Sequence, residues 1–380
     1  MILFFTFFLA IYGGVHVYTF VKAKHAFGFG WPLGMGVALF MAFMIGALLI
    51  IRSLERAEYE LSARTLSYIA YLWMAVLFLF FCGSLVLDAA NLLFQAVDRV
   101  GGPGTVPFRI SAKLSFVAPL TLSCLICIYG YFDAQNIRTE RLVIETEKLP
   151  VGMDRLTIAQ LSDVHLGLII RCDRLVNILE RVKAVNPDIV LSTGDLVDAQ
   201  INHLSGLREL LQDIRPRYGK YAITGNHEYF AGLDKALEFT RHSGFTMLRN
   251  EARTIGGITI AGMDDRTGNR LKKSKPMADS DILSRLDRKQ FILFLKHEPL
   301  PDPDAVGLFD LMLSGHTHKG QIWPFIYLTR MTYPLNAGKY DLGKGSLLYV
   351  SRGSGTWGPP IRFLSPPEIT VIELVRKRSA

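Results

Sequence analysis

Five short blocks of the sequence carry side chains that bind metal ions. They are Asp163-Val164-His165, Gly194-Asp195, Gly225-Asn226-His227-Glu228, Lys296-His297-Glu298 and Gly315-His316-Thr317-His318. Carboxylate, amide and imidazole donors without a thiolate favour Mn, Fe or Zn over a thiolate-rich structural zinc site. The carboxylate of Asp195 has two oxygens, so it can bridge two ions. The pattern indicates a metal centre that performs chemistry.

Each block taken alone has a plain structural alternative. Asp-x-His often caps a helix, Gly-Asp is usually a turn, and a single histidine such as His297 after an apolar strand more often packs in a core. The pair His316 and His318 is more telling, because alternating histidines are rarely used for packing. The occurrence of all five blocks in one chain favours a site over these alternatives.

Apolar runs precede the blocks and must position them. These runs cover residues 156–161, 188–193, 221–224, 291–295 and 309–314, and their length predicts buried strands. Helical patterns over 173–185, 204–214 and 231–243 alternate with the first strands, which favours parallel pairing with right-handed crossovers. Short strands and the Gly256-Gly257 turn within 246–264 favour antiparallel pairing there. We therefore expect an α/β domain of two mixed sheets packed face to face with helices outside, and ligands at one sheet edge.

The ordered blocks resemble the calcineurin-like metallophosphoesterase superfamily over about residues 150–375. The tail, residues 349–360 and 366–370, resembles the membrane-associated branch that includes YkuE and YaeI. Lys319 departs from that branch, where glycine is commoner. The resemblance implies two ions: Asp163, His165, Asp195 and His318 hold one, and Asp195, Asn226, His297 and His316 hold the other.

The resemblance also implies roles for residues beside the ligands. Two divalent ions would activate a water near neutral pH, and His227 would protonate the leaving group or stabilise the phosphate. Glu228 either orients His227 or is solvated. Arg352 either contacts a substrate phosphate or forms a structural ion pair. Asp264-Asp265 reads as a turn rather than as a metal site.

The first third of the chain is unusually apolar. Hydrophobic residues make up 50% of the sequence, and the excess lies in four segments, residues 2–21, 31–51, 67–93 and 114–132. Each is about long enough to cross a hydrocarbon core, which takes roughly 20 residues. The first segment lacks the basic start and cleavage site of a signal peptide. We expect four transmembrane helices in 1–132, a polar connector over 133–155 and the metallophosphoesterase domain over 156–380.

The charge of the chain suits anionic partners. A formal net charge of +8 is compatible with a lipid bilayer and with phosphorylated substrates. No basic stripe with interleaved aromatic residues is present, so we expect no nucleic acid. The chain reads as a multi-pass protein of the cell (inner) membrane. Lys and Arg divide almost evenly between the two sides, which leaves the side of the catalytic domain open; the oligomeric state is open as well.

The predicted function is hydrolysis of a phosphodiester, pyrophosphate or phosphomonoester by a membrane-anchored, dinuclear-metal enzyme. The membrane segments favour a lipid-linked or amphiphilic substrate. One specific alternative is a UDP-diacylglucosamine pyrophosphatase of lipid A synthesis, because related folds perform that reaction. An alternative of another class is a non-catalytic binding or scaffold protein on the same fold, which the complete ligand set disfavours.

Overall fold

The computed structural model describes residues 2–199, 201, 204 and 206–377. The chain forms two compact units, one up to Gly130 and one from Tyr131 onward. The first unit is helical, and its helices are α1 (Ile2–Phe27), α2 (Trp31–Arg56), α3 (Glu60–Gly101) and α4 (Ala112–Asp133). The helices of this unit cover all four predicted spans.

Three of these helices, α2, α3 and α4, are long and apolar enough among the described residues to cross a membrane. The prediction of four spans is corrected to three candidates. The described part of α1 carries His16, Lys22 and Lys24. Within this unit, Lys22 forms an ion pair of 2.5 Å with Asp88 of α3, so the polar face of α1 packs on its neighbours.

The second unit contains two mixed sheets, as the sequence predicts. In its described part the first sheet has the order β1-β12-β2-β3-β4-β5 and the second β10-β11-β9-β8-β7-β6. The strands are β1 (Arg138–Thr146), β2 (Arg155–Leu161), β3 (Ile189–Ser192), β4 (Lys220–Ala222), β5 (Phe245–Met247), β6 (Glu251–Ile255), β7 (Ile258–Gly262), β8 (Ile292–Leu295), β9 (Leu311–Ser314), β10 (Gly338–Gly343), β11 (Ser346–Val350) and β12 (Glu368–Arg376).

Strand pairing follows the connections between the strands. Strands β2 to β5 run parallel because helices join them. The helices of the unit are α5 (Cys172–Val185), α6 (Leu207–Gln212), α7 (Asn226–Ala231), α8 (Leu233–His242), α9 (Arg266–Arg270), α10 (Asp279–Leu283) and α11 (Ile326–Thr332). The expected antiparallel hairpin is β6 and β7. Its turn uses Gly256 and Gly257 at φ 56° and 80°, conformations that glycine adopts without a Cβ penalty.

The main core lies between the two sheets. Alternate residues of β2 and β3, such as Ile158 and Leu191, pack in one buried cluster with Ile260, Leu293 and Leu313 of the second sheet. Their neighbours along each strand face outward, because side chains alternate between the faces of a sheet. Helix α5 buries the apolar side that its spacing predicts.

The predicted connector contains a strand of the first sheet. Residues 138–146 form β1, which pairs in parallel with β12 over its full length. The exposed positions of β1 are mostly polar and its inner positions, Leu142 and Ile144, are buried. The prediction of a polar connector over 133–155 is therefore wrong for these residues, which belong to the fold of the catalytic unit.

Candidate metal centre

The five blocks meet where β2, β3, β4, β8 and β9 end. Asp163, His165 and His318 offer ligand atoms that lie within 4.8 Å of one another, and so do Asp195, His297 and His316. A third set of His165, Asp195 and His227 joins the two. The remaining predicted ligand, Asn226, places its Oδ1 3.2 Å from Nε2 of His297. All of the side chains predicted as ligands are thus in one cluster.

An unusual backbone conformation presents most of these side chains. Asp163, His165, Asp195, His316 and His318 have φ of 51°, 55°, 50°, 70° and 47°. A residue other than glycine in this left-handed region costs on the order of 1–3 kcal/mol. Such strain persists where the surrounding fold imposes it, and here the strand ends impose it on five residues of one cluster. The donors are therefore held in place before any ligand binds.

Glycines let the blocks approach one another closely. A Cβ on Gly194 would lie 2.7 Å from the backbone nitrogen of Gly225 and 2.7 Å from Nδ1 of His297. A Cβ on Gly225 would collide with the Asp195 carboxylate, and one on Gly315 with that of Asp163. The Gly-Asp and Gly-His spacings therefore serve contact between blocks as well as turns.

Hydrogen bonds outside the cluster select the tautomers of two histidines. Nδ1 of His297 lies 2.8 Å from the carbonyl oxygen of Thr193, so this nitrogen carries the proton. Nε2 of His316 lies 2.9 Å from the hydroxyl of Tyr333, which donates to Glu298. Nε2 of His297 and Nδ1 of His316, 3.1 Å apart, are then the nitrogens that face into the cluster.

The distances between donors fit divalent cations. Nε2 of His318 lies 3.0 Å from Nε2 of His165 and 3.5 Å from Oδ1 of Asp163. Oδ2 of Asp195 lies 3.2 Å from Nε2 of His297. Ligands about 2.1 Å from one ion stand roughly 3.0–3.4 Å apart at right or tetrahedral angles. The cluster therefore has both the donor chemistry and the spacing of a metal centre.

The electrostatics of the cluster keep three imidazoles neutral. Burial and the neighbouring His227 lower the pKa of His165 to about 4, and burial together with His297 lowers the pKa of His316 to about 3. Burial and the guanidinium of Arg362 hold the pKa of His318 well below its usual range. Neutral imidazoles have the free lone pair that metal binding requires.

The carboxylate of Asp195 is charged and central. Burial acts to raise its pKa, but the imidazoles of His297 and His227 outweigh burial and hold the pKa well below its usual range. For His297, burial acts to lower the pKa, and Asp195 raises it well above the ordinary value. A cation bound between Asp195 and His297 would take the place of that imidazole proton.

His227 lies beside the donors and has a partner that the sequence analysis missed. Its backbone N–H donates to Oδ1 of Asp195 at 2.9 Å, and its Nδ1 lies 2.8 Å from Oδ1 of Asp198. Burial alone would lower the pKa of His227, but Asp195 and then Asp198 raise it to about 9. The available signal was a second carboxylate three residues after Asp195 on the same strand-end loop.

Glu228 takes neither of its two predicted roles. The side chain is buried and accepts hydrogen bonds from the backbone N–H groups of Asp195 at 3.0 Å, Leu196 at 2.9 Å and Gly225 at 2.7 Å. Burial raises its pKa to about 7. Glu228 therefore joins the blocks that carry Asp195 and Asn226, and it does not contact the ring of His227 by any hydrogen bond described.

The structure gives Arg352 the ion-pair alternative. Its guanidinium lies 2.5 Å from Glu140 and 2.6 Å from Glu368. A different arginine, Arg362, is fully buried, and its Nη2 donates to Nδ1 of His318 at 2.9 Å. Nε2 of His318 is then the ring nitrogen that faces the cluster, 3.0 Å from Nε2 of His165 and 3.5 Å from Oδ1 of Asp163. Nothing in the sequence around Arg362 signals this burial.

The Asp264-Asp265 pair lies outside the cluster, in agreement with the predicted turn. Asp264 forms an ion pair of 2.8 Å with Arg249. Asp265 caps the start of α9 by accepting from the backbone N–H of Thr267 at 2.8 Å. Lys319 lies in the short 3-10 turn His318–Gly320 with a φ of 50°, where glycine would be unstrained.

Comparison with known proteins agrees with this geometry. Residues 156–320 match the calcineurin-like phosphoesterase family. The chain is 38% identical over 258 residues to an uncharacterized metallophosphoesterase of Aquifex aeolicus, covering 67% of this chain and 98% of that protein. The chain belongs to the calcineurin-like metallophosphoesterase family. The predicted resemblance is confirmed, and the chain is a metal-dependent phosphoric ester hydrolase.

Two other relatives of this metallophosphoesterase differ in their names, because only one of them is called a transmembrane protein. It is 34% identical over 266 residues to the uncharacterized metallophosphoesterase YkuE of Bacillus subtilis, covering 65% of this chain and 89% of YkuE. It is 31% identical over 352 residues to a transmembrane protein with metallophosphoesterase domain of Danio rerio, covering 89% of this chain and 79% of that protein. The second alignment extends beyond the catalytic unit into the helical one.

Proposed function

We propose that this metallophosphoesterase is a multi-pass enzyme of the cell membrane that uses two divalent ions to hydrolyse a phosphodiester, pyrophosphate or phosphomonoester. The observation that carries the proposal is the pair of donor sets, Asp163, His165 and His318 on one side and Asp195, His297 and His316 on the other. Asp195 belongs to the second set and also lies within reach of His165, so its two oxygens suit a bridge.

In the proposed centre, Asp163, His165, Asp195 and His318 would hold one ion, and Asp195, Asn226, His297 and His316 would hold the other. The donor set suits Mn, Fe or Zn. Bound ions of this kind supply Lewis acidity and an activated water for attack on phosphorus. The protein contributes fixed donor positions, because the left-handed backbone of five ligands and the buried Glu228 hold the loops in register.

His227 is the proposed proton donor to the leaving oxygen. Its Nδ1 is engaged by Asp198 at 2.8 Å, so Nε2 is the nitrogen left to face the substrate. Asp198 fixes the ring orientation, and the negative charges around His227 favour its protonated form. A positioned acid of this kind accelerates departure of a poor leaving group by roughly 10²–10⁴-fold.

The helical unit supports an amphiphilic or lipid-linked substrate. Helices α2, α3 and α4 have the length and composition of membrane spans. Helix α4 ends at Asp133 and strand β1 begins at Arg138, so spans in a membrane would tether the catalytic unit to it. A non-catalytic scaffold protein on this fold would not need a complete set of metal-binding side chains, with histidine tautomers fixed by hydrogen bonds.

Hydrolysis of bis-nitrophenyl phosphate by the purified full-length protein tests the proposal. We expect Mn to support release of nitrophenol, thorough chelation to abolish it, and added Mn to restore it, with two ions bound per chain by elemental analysis. Asp163→Asn should lose activity, whereas Asp304→Asn, at an exposed carboxylate outside the cluster, should keep it. Activity that survives chelation would overturn the metal mechanism.

A further inference from the structure

An exposed apolar surface lies on α11 and the residue that leads into it. Trp323, Tyr327, Leu328 and Met331 are 45%, 60%, 55% and 81% exposed, and no residue of this helix is buried. We call these four side chains the α11 apolar face. Single exposed apolar residues are ordinary on a protein surface, but a cluster of four large ones marks a contact surface.

The α11 apolar face is fixed to the loop that carries two proposed ligands. Tyr333, directly after α11, contacts His316 through its hydroxyl at 2.9 Å. A Cβ on Gly320 would collide with the backbone of Ile326, so the helix start packs directly against the 3-10 turn after His318. Asn336 donates to Thr329 at 3.1 Å. Whatever the face binds is therefore held at the rim of the metal centre.

A basic segment stands at the same rim. Glu298 contacts the Tyr333 hydroxyl at 3.3 Å and forms an ion pair of 3.2 Å with Arg266 of α9, which joins α9 to the end of α11. The segment 270–275, which begins at the last residue of α9, carries exposed cations, namely Arg270, Lys272, Lys273 and Lys275. Positive charge beside an apolar surface complements a lipid surface with anionic headgroups.

We propose that the α11 apolar face inserts into the interfacial region of a lipid bilayer, with the basic segment 270–275 on anionic headgroups. Trp and Tyr are the residues that settle at membrane–water interfaces, and both occur on this face. The proposal rests on the proposed function in one respect, the membrane anchoring of the chain. It deepens that function, because the metal centre would then lie close to phosphates at the membrane surface.

Lipid quenching in nanodiscs that contain the full chain and anionic phospholipid tests the contact directly. In a background with Ser at the four native cysteines, Cys82, Cys124, Cys127 and Cys172, Met331→Cys receives an environment-sensitive fluorophore. Val151→Cys, at a fully exposed valine, is the matched control. We expect lipids with a shallow spin-label quencher to reduce emission at 331 at least about two-fold more than at 151.

Each other outcome overturns the proposal. A probe at 331 that lipid does not quench, and that aqueous iodide quenches as well as at 151, lies in water. A probe shielded from both quenchers is covered by protein. These results do not depend on catalysis, so they separate failure of this inference from failure of the proposed function.

A second measurement uses paired nitrophenyl phosphodiesters, one with an ethyl group and one with a long alkyl chain in the nanodisc. We expect the double variant Leu328→Ser/Met331→Ser to keep kcat/KM for the ethyl ester and to lose about ten-fold for the long-chain ester. Val151→Ser should leave both unchanged. If the double variant has the same kcat/KM as the unsubstituted protein for each of the two esters, the inference is overturned. If the unsubstituted protein cleaves neither ester, the proposed function is refuted instead.

Discussion

Replacement of His227 by alanine should separate metal binding from proton transfer. The ring lies beside the donor cluster but its Nδ1 is engaged by Asp198 at 2.8 Å, so both ions should remain bound. A general acid contributes roughly 10²–10⁴-fold where the departing oxygen needs a proton, which corresponds to about 2.7–5.4 kcal/mol of activation free energy. Nitrophenolate leaves without a proton, so its loss should stay within about ten-fold.

The assay compares kcat/KM for an alkyl phosphodiester and for an aryl one, with metal content measured on the same samples. Asp198→Asn provides a graded version of the change, because it removes the charged partner of His227 and keeps the ring. We expect its loss on the alkyl ester to lie between those of the unsubstituted protein and His227→Ala. The aryl ester should respond little to either substitution.

Two results would refute this reasoning. Equal losses on alkyl and aryl esters would assign His227 to charge stabilisation or positioning in the transition state. Loss of bound metal from His227→Ala would make the residue part of the scaffold of the centre, since its backbone N–H also donates to Asp195 at 2.9 Å.

Three further sets of substitutions test other parts of the structure. Asp195→Asn should be the most damaging ligand change and release both ions, whereas His165→Ala should release mainly one. Elemental analysis measures the number of ions bound per chain. Two retained ions with full turnover in Asp195→Asn would exclude Asp195 as a bridging ligand. Tyr333→Phe should keep the fold and weaken Mn affinity about 10–100-fold, because the tautomer of His316 is then no longer fixed by a hydrogen bond. Titration with Mn measures the affinity. An unchanged affinity would contradict the role of Tyr333 in fixing this tautomer. Asp279→Ala should cost about 3–5 kcal/mol of stability by leaving buried Lys296 without its 2.7 Å partner. The double variant Asp279→Leu/Lys296→Met should recover most of this stability, which thermal denaturation measures. A similar loss of stability in both variants would assign the effect to packing.

The position of the candidate metal centre could be predicted because most of the ligand blocks follow short strands that are apolar on both faces. Burial between two layers makes β3 and β8 continuous apolar runs, and a polar block at the end of such a run can only lie at the sheet edge. The antiparallel hairpin was equally readable, since Gly256 and Gly257 supply the turn. Local sequence contained both results.

Features that depend on distant partners could not be predicted. Strand β1 reads as a connector because its exposed positions carry residues such as Arg138 and Arg141, and its partner β12 is far along the chain. Asp198 gains its role only from the placement of α7, and Arg362 is buried by a loop that wraps around His318. The helical unit shows a similar limit, because the charge of Lys22 on α1 is paired with Asp88 on another helix.

The pairing of β1 with β12 determines when, during synthesis of the chain, the first sheet can be completed. Arg141 of β1 pairs with Glu373 of β12, which is 232 residues later, and β12 separates β1 from β2 in the sheet. At about 5–20 residues per second, β1 waits on the order of 10–50 s on the ribosome before its partner is made. A nascent chain stalled before residue 368 would therefore carry all of its metal ligands and still leave the first sheet open. Emergence of β12, rather than synthesis of the last ligand, should mark the moment at which the first sheet closes.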